Sequence, residues 1–90
     1  RRIDRTPGVL GRHRFTLEAD GLHEATDVEE TVYAWTSVSA VRKTPRFIII
    51  SIDRKQHLLL PRRDFASDKA FDDFYRRVEV QLRERLKPPP

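Results

Sequence analysis

The sequence predicts an α+β fold, a partly open antiparallel β-barrel of about six short strands capped by one long C-terminal α-helix. Three observations carry this. The most apolar run, Phe47-Ile48-Ile49-Ile50-Ser51-Ile52, is rich in β-branched residues and bounded by Thr44-Pro45-Arg46 and Asp53-Arg54-Lys55; it reads as a strand buried on much of both faces. Upstream, short stretches of alternating apolar and polar residues are separated by turn residues, the period-two pattern of half-buried strands. Downstream, Phe71, Phe74, Tyr75, Val78, Leu82 and Leu86 recur at the i, i+3, i+4, i+7 spacing of an amphipathic helix.

In chain order, residues 1–10 hold Pro7-Gly8 and several arginines with few apolar residues, and read as a basic flank or linker. The domain proper is expected over residues 11–87, followed by a tail at 88–90. From Arg12 the pattern alternates, with His13, Phe15, Leu17 and Ala19 on one face and Arg14, Thr16 and Glu18 on the other. Asp20-Gly21 supplies a pair that tolerates positive φ in a tight hairpin turn, and Leu22 to Thr26 is the returning strand. A polar turn at Asp27 leads to a third strand, Thr31 to Trp35, with Glu29-Glu30 facing solvent. The spacing Trp35, Val38, Val41 predicts one helical turn or a bent lead into a fourth strand near Val38 to Lys43. Thr44-Pro45-Arg46 then turns the chain into the central hairpin, whose second strand, Leu58-Leu59-Leu60, stops at Pro61 for want of an N–H. Ser67 is a good N-cap for a helix from Asp68 to Leu86. Acids near its start and Arg83, Arg85 and Lys87 near its end suit the helix dipole, and Pro88-Pro89-Pro90 ends it.

Ninety residues allow one domain with an adequate but thin core, burying somewhat over ~60% of the unfolded surface, and a stability of roughly 5–10 kcal/mol. With no cysteine, disulfides and thiolate metal sites are excluded. No stretch approaches the ~18 apolar residues of a membrane span. The net charge of +4 conceals segregation. Residues 1–14 sum to +4, residues 15–41 hold six acids and no Lys or Arg, residues 42–63 sum to +6, and the remainder balances. Such segregation can steer the protein toward a surface of opposite sign.

Gly11 with the strand after it, Glu18-Ala19-Asp20-Gly21-Leu22, the pair Trp35 and Val38, and above all Leu60-Pro61-Arg62-Arg63-Asp64-Phe65 just before the helix resemble the YcxB-like family. The last of these is similar to that family's Ile-Pro-Lys-Arg-x-Phe signature. The resemblance runs from Gly11 to about Leu86 and implies a bacterial pleckstrin-homology-like domain. It further implies two transmembrane helices upstream, with this domain on the cytoplasmic face of the bacterial cell membrane. The start at Arg1 without methionine fits an excerpt of such a protein, and Arg1, Arg2 and Arg5 would then form a juxtamembrane basic cluster. The family supplies no catalytic residues.

The residues themselves point the same way. His13, His23 and His57 fall on different expected strands, without metal-ligand spacing. No serine sits in a G-x-S-x-G elbow, and three glycines leave no phosphate-cradling loop. The sequence therefore predicts no enzyme, no metal and no cofactor. The expected contacts with an anionic surface are Arg1, Arg2, Arg5, Arg42, Lys43, Arg46, Arg54, Lys55, Arg62 and Arg63, with those from Arg42 to Lys55 gathered at neighbouring strand ends. Arg62 and Arg63 read alternatively as solvated, or paired with Asp64 and Asp68. The Asp20-Gly21 connection is short and acidic, so a phosphoinositide site in the first hairpin loop is not expected. The expected partners are an anionic lipid surface or a protein. The alternative is a soluble basic barrel binding nucleic acid, which the pI near 10.0 permits. The acids from Glu18 to Glu30, and the lack of aromatics interleaved with basic residues, count against it.

Overall fold

The computed structural model describes residues 13–86. Six strands, β1 (Arg14–Glu18), β2 (Gly21–Ala25), β3 (Glu30–Ala34), β4 (Val38–Lys43), β5 (Phe47–Ile52) and β6 (Gln56–Pro61), precede one helix, α1 (Asp68–Leu86). They form two antiparallel three-stranded sheets, sheet A ordered β1-β2-β3 and sheet B ordered β4-β5-β6. The two sheets do not close on each other, so the barrel is partly open, and the α+β class and strand count expected from the sequence both hold. The basic flank, with Arg1, Arg2 and Arg5, the 88–90 tail and the side chain of Leu86 lie outside the described residues.

One core serves both sheets and the helix. Phe15, Leu17 and Leu22 come from sheet A, and Ile48, Ile50, Ile52, Leu58 and Leu60 from sheet B; Phe71, Phe74 and Val78 come from α1, and Trp35, Val38 and Phe65 from the junctions. The helix begins as the sequence predicts, with Ser67 Oγ accepting the Ala70 N–H at 3.0 Å. Tyr75 and Leu82 pack at the margin of its buried stripe.

Several local expectations are corrected. The first hairpin turns at Ala19-Asp20, one residue earlier than Asp20-Gly21, because Glu18 pairs with Gly21. This register sets Leu17 directly opposite Leu22, and both are buried; a slip would place Leu17 against a polar residue. Ala19 and His13 are exposed, while Glu18, assigned to the solvent face, is buried. Gly21 is needed inside β2 for another reason. A Cβ there would overlap the backbone carbonyl oxygen of Tyr33 and come within 3.0 Å of the Ala34 Cα. Backbone cannot swing away as a side chain can. Gly21→Ala is expected to cost about 1–3 kcal/mol, read as a lowered midpoint in urea denaturation with an unchanged slope.

The central hairpin alternates where burial on both faces was expected. Ile48, Ile50 and Ile52 point into the core, whereas Phe47, Ile49 and Ser51 are half-buried on the outer face. In β6, Leu58 and Leu60 are buried, but Leu59 is 59% exposed. The alternation is therefore imposed by the tertiary arrangement on an unpatterned run. The loop of β5 and β6 places Asp53 and Arg54 at positive φ.

The region after Trp35 contains both features the spacing allowed, a single 3-10 turn over Trp35–Ser37 and then β4. β4 carries a bulge, because Val38 and Ala40 pair with successive residues of β5 and Ser39 is left over. Ser39 Oγ donates to the Ser51 carbonyl at 3.1 Å and accepts the Arg54 N–H at 3.2 Å, tying the bulge to the hairpin loop.

Candidate functional site

Of the residues expected to contact an anionic surface, Arg42, Lys43, Arg46, Arg54, Lys55, Arg62 and Arg63 lie among the described residues, and these seven divide between the two ends of sheet B. Lys43 ends β4, Arg46 lies in the β4–β5 turn, and Arg62 and Arg63 follow β6. Because Phe47 pairs with Pro61, these lie at one end of sheet B, with Arg42 one row in, opposite Ile49. Arg54 and Lys55 occupy the β5–β6 loop at the other end. The two ends are six strand residues apart, roughly 20 Å. Antiparallel connectivity sends alternate turns to opposite ends, so clustering in sequence is not clustering in space here.

Within the first group the charges have different tasks. Arg62 is a latch. Its Nε donates to the Pro45 carbonyl at 2.6 Å and one Nη to Asp68 Oδ1 at 2.8 Å. Its guanidinium also lies 4.1 Å from the Phe71 ring centroid, a stacked geometry that Arg favours. Its backbone N–H bonds the Arg46 carbonyl at 2.7 Å. The pairing with Asp68 read from the sequence is therefore present, and this side chain is occupied by the fold. Lys43 is similarly engaged, 3.1 Å from Asp72 Oδ1 and 5.0 Å from the Tyr75 ring centroid. Arg42, Arg46 and Arg63 are exposed, and no carboxylate partners them among the described residues.

A cleft of about 560 Å³ lies at this end, with Arg62 itself part of its lining. Arg46 and Arg63 flank it, Phe47, Pro61 and Phe65 give it apolar walls, and Ser67 and Asp68 at the start of α1 close it. A second cleft, about 490 Å³, lies between Leu17 of β1 and α1. Its charges are partly internal, since Asp73 takes Lys69 at 2.7 Å and Arg76 at 3.2 Å.

Sheet A carries the opposite sign. His23 bridges two of its carboxylates, Asp20 at 2.7 Å and Glu30 at 3.0 Å, and His13 lies 2.8 Å from Glu24. Burial of the His23 ring works against its charge, but the hydrogen bonds and charges of Asp20 and Glu30 outweigh it and raise its pKa above the ordinary 6.5. The hydrogen bond from His23 holds the Asp20 carboxyl below its usual range. Because the raised value belongs to the folded state, the His23 contribution to stability is complete below pH 6.5 and is lost as pH rises through the folded value. The melting temperature of the native protein relative to His23→Gln is expected to fall across that interval; a constant difference would refute the assignment. Burial first, then the charge and hydrogen bond of Glu24, push the Tyr33 phenol up. It therefore remains a donor to Glu24 Oε1 at 3.1 Å.

His57 is not with the other histidines. On the outer face of sheet B its Nδ1 lies 3.1 Å from Ser51 Oγ, its partner across the β5–β6 pair. Sequence reading could not find this pair, because it depends on register. No carboxylate partners His57 among the described residues, and no group of three or more potential metal ligands occurs among them. Nor is any helix of the described residues long and apolar enough to cross a membrane.

The sequence model of the YcxB-like protein family matches residues 17–76, which run from β1 into the middle of α1 and include the whole of sheet B and its basic end. The chain belongs to the YcxB-like family. Comparison with curated proteins and with solved structures gives no match.

Proposed function

We propose that this YcxB-like chain is a non-catalytic, pleckstrin-homology-like interaction module of a membrane-anchored bacterial protein, working at the cytoplasmic face of the membrane. On this reading the end of sheet B bearing Arg42, Arg46 and Arg63 meets an anionic surface. The observation that carries it is the separation of charge by sheet. Three exposed guanidinium groups, without carboxylate partners among the described residues, stand at one end of sheet B, while Asp20, Glu24, Glu29 and Glu30 belong to sheet A and its turns. Such a polarised molecule orients in the field of a charged surface before contact. Support for the non-catalytic part comes from the histidines, which pair with three different sets of residues: His13 with Glu24, His23 with Asp20 and Glu30, and His57 with Ser51.

Flotation with vesicles tests this. The chain is expected to co-float with phosphatidylcholine vesicles containing phosphatidylglycerol, and not with phosphatidylcholine alone. Binding should weaken from low to near-physiological salt, where the Debye length falls to about 8 Å. Arg46→Glu combined with Arg63→Glu should abolish it. Salt-sensitive binding to an oligonucleotide, with vesicles ignored, would replace the membrane reading with nucleic acid binding.

A further inference from the structure

The outer face of sheet B carries more than charge. In β5 and β6 the outward residues pair across the strands as Phe47 with Pro61, Ile49 with Leu59, and Ser51 with His57. The first two rows are wholly apolar and continue from the cleft. Leu59, in the middle of a strand, is 59% exposed, and Arg42 stands opposite Ile49 on the neighbouring strand. Arginines thus border the apolar rows at Arg42, Arg46 and Arg63, with their charge on the rim and the hydrocarbon at the centre.

We infer that this face is a membrane-inserting surface, Leu59 entering the acyl boundary of an anionic bilayer while Arg42, Arg46 and Arg63 take lipid phosphates. The inference rests on the membrane reading above and adds apolar insertion to it. Three features favour a bilayer over an acidic peptide. The exposed apolar residue projects from a pleated surface and does not line a groove, as a docked helix needs. The rim cations are long enough to reach phosphates while their stems cover apolar surface. The acids nearest in sequence lie beyond the strand, and Asp68 is already held by Arg62. A surface of this kind combines buried apolar area with attraction to anionic lipid, the two terms that set interfacial binding.

The chain has no cysteine, so a single one can be placed and labelled with an environment-sensitive nitrobenzoxadiazole dye. With phosphatidylglycerol-containing vesicles, dye on Leu59→Cys is expected to shift to the blue and to be quenched by lipid-borne spin labels. Dye on Glu29→Cys, on the acidic side, should do neither. Leu59→Glu, at a position outside the core, should lower partitioning about tenfold while leaving a weaker, salt-sensitive binding through the arginines. A folded Leu59→Glu that floats as well as the native chain would overturn insertion and leave the electrostatic reading standing, as would a dye at position 59 that stays in water on bound vesicles. Absence of flotation by the native chain would overturn both. A dye shift produced by an acidic amphipathic peptide and not by vesicles would reassign the face to a protein partner.

Discussion

Replacing Trp35 by alanine is expected to cost about 3–5 kcal/mol, a large share of the roughly 5–10 kcal/mol available to a domain of this size. Trp35 opens the 3-10 turn where the chain passes from sheet A to sheet B and is 6% exposed. Its indole Nε1 donates to the Glu18 carbonyl at 3.0 Å, tying that passage to the end of β1. Its own carbonyl lies 3.5 Å from an Nη of Arg85 near the end of α1. Trp35 therefore ties the passage to β1 through its ring and to α1 through its backbone carbonyl, and the ring belongs to the core shared by both sheets and the helix. Trp35→Phe separates the two contributions. It keeps most of the apolar volume but removes the indole donor to the Glu18 carbonyl, at about 0.5–1.5 kcal/mol. Urea denaturation of the three proteins checks both figures; equal loss in the two variants would mean that the hydrogen bond dominates and that the core around the ring collapses readily.

Phe71→Ala is expected to be comparably severe, about 3–5 kcal/mol. The ring is fully buried and meets Phe65 edge-on, with centroids 5.2 Å apart and planes at 88°. It is also the seat of the Arg62 guanidinium. Removing it empties the core beneath the cleft and unseats the latch that joins the β4–β5 turn to the helix. A double-mutant cycle with Arg62→Ala should show coupling of about 0.5–2 kcal/mol. Coupling near zero would mean that Arg62 is held by Pro45 and Asp68 alone.

These two residues also show how much was legible beforehand. Phe71 announces itself through helical periodicity, and the bounds of α1 agree with those read from Ser67, Asp68 and the spacing of apolar residues. Trp35 ends an alternating strand, a place that suits a core or rim aromatic, but nothing local marks the partner it finds at Glu18, seventeen positions away. The hairpin loops were visible from turn residues, though the first was displaced by one position. Two-residue turns are compatible with more than one register, and burial of Leu17 against Leu22 selects among them. The Ile and Leu runs of β5 and β6 carry no alternation in their side-chain chemistry, so nothing in them marks which residues stay outside. Leu59 is exposed because of what lies on each side of sheet B.

The sequence by itself determined the order of elements, the helix with its cap and buried stripe, and the segregation of charge along the chain. Each depends on neighbours a few positions apart, where spacing alone sets which side chains share a face. The tertiary structure decided which cations remain available. Arg62 and Lys43 are consumed by Asp68 and Asp72, residues of a helix that packs back on the sheet, and Arg54 and Lys55 are carried to the opposite end by strand direction. Pairing and distance between residues far apart in the chain follow from register and packing, which local composition does not encode.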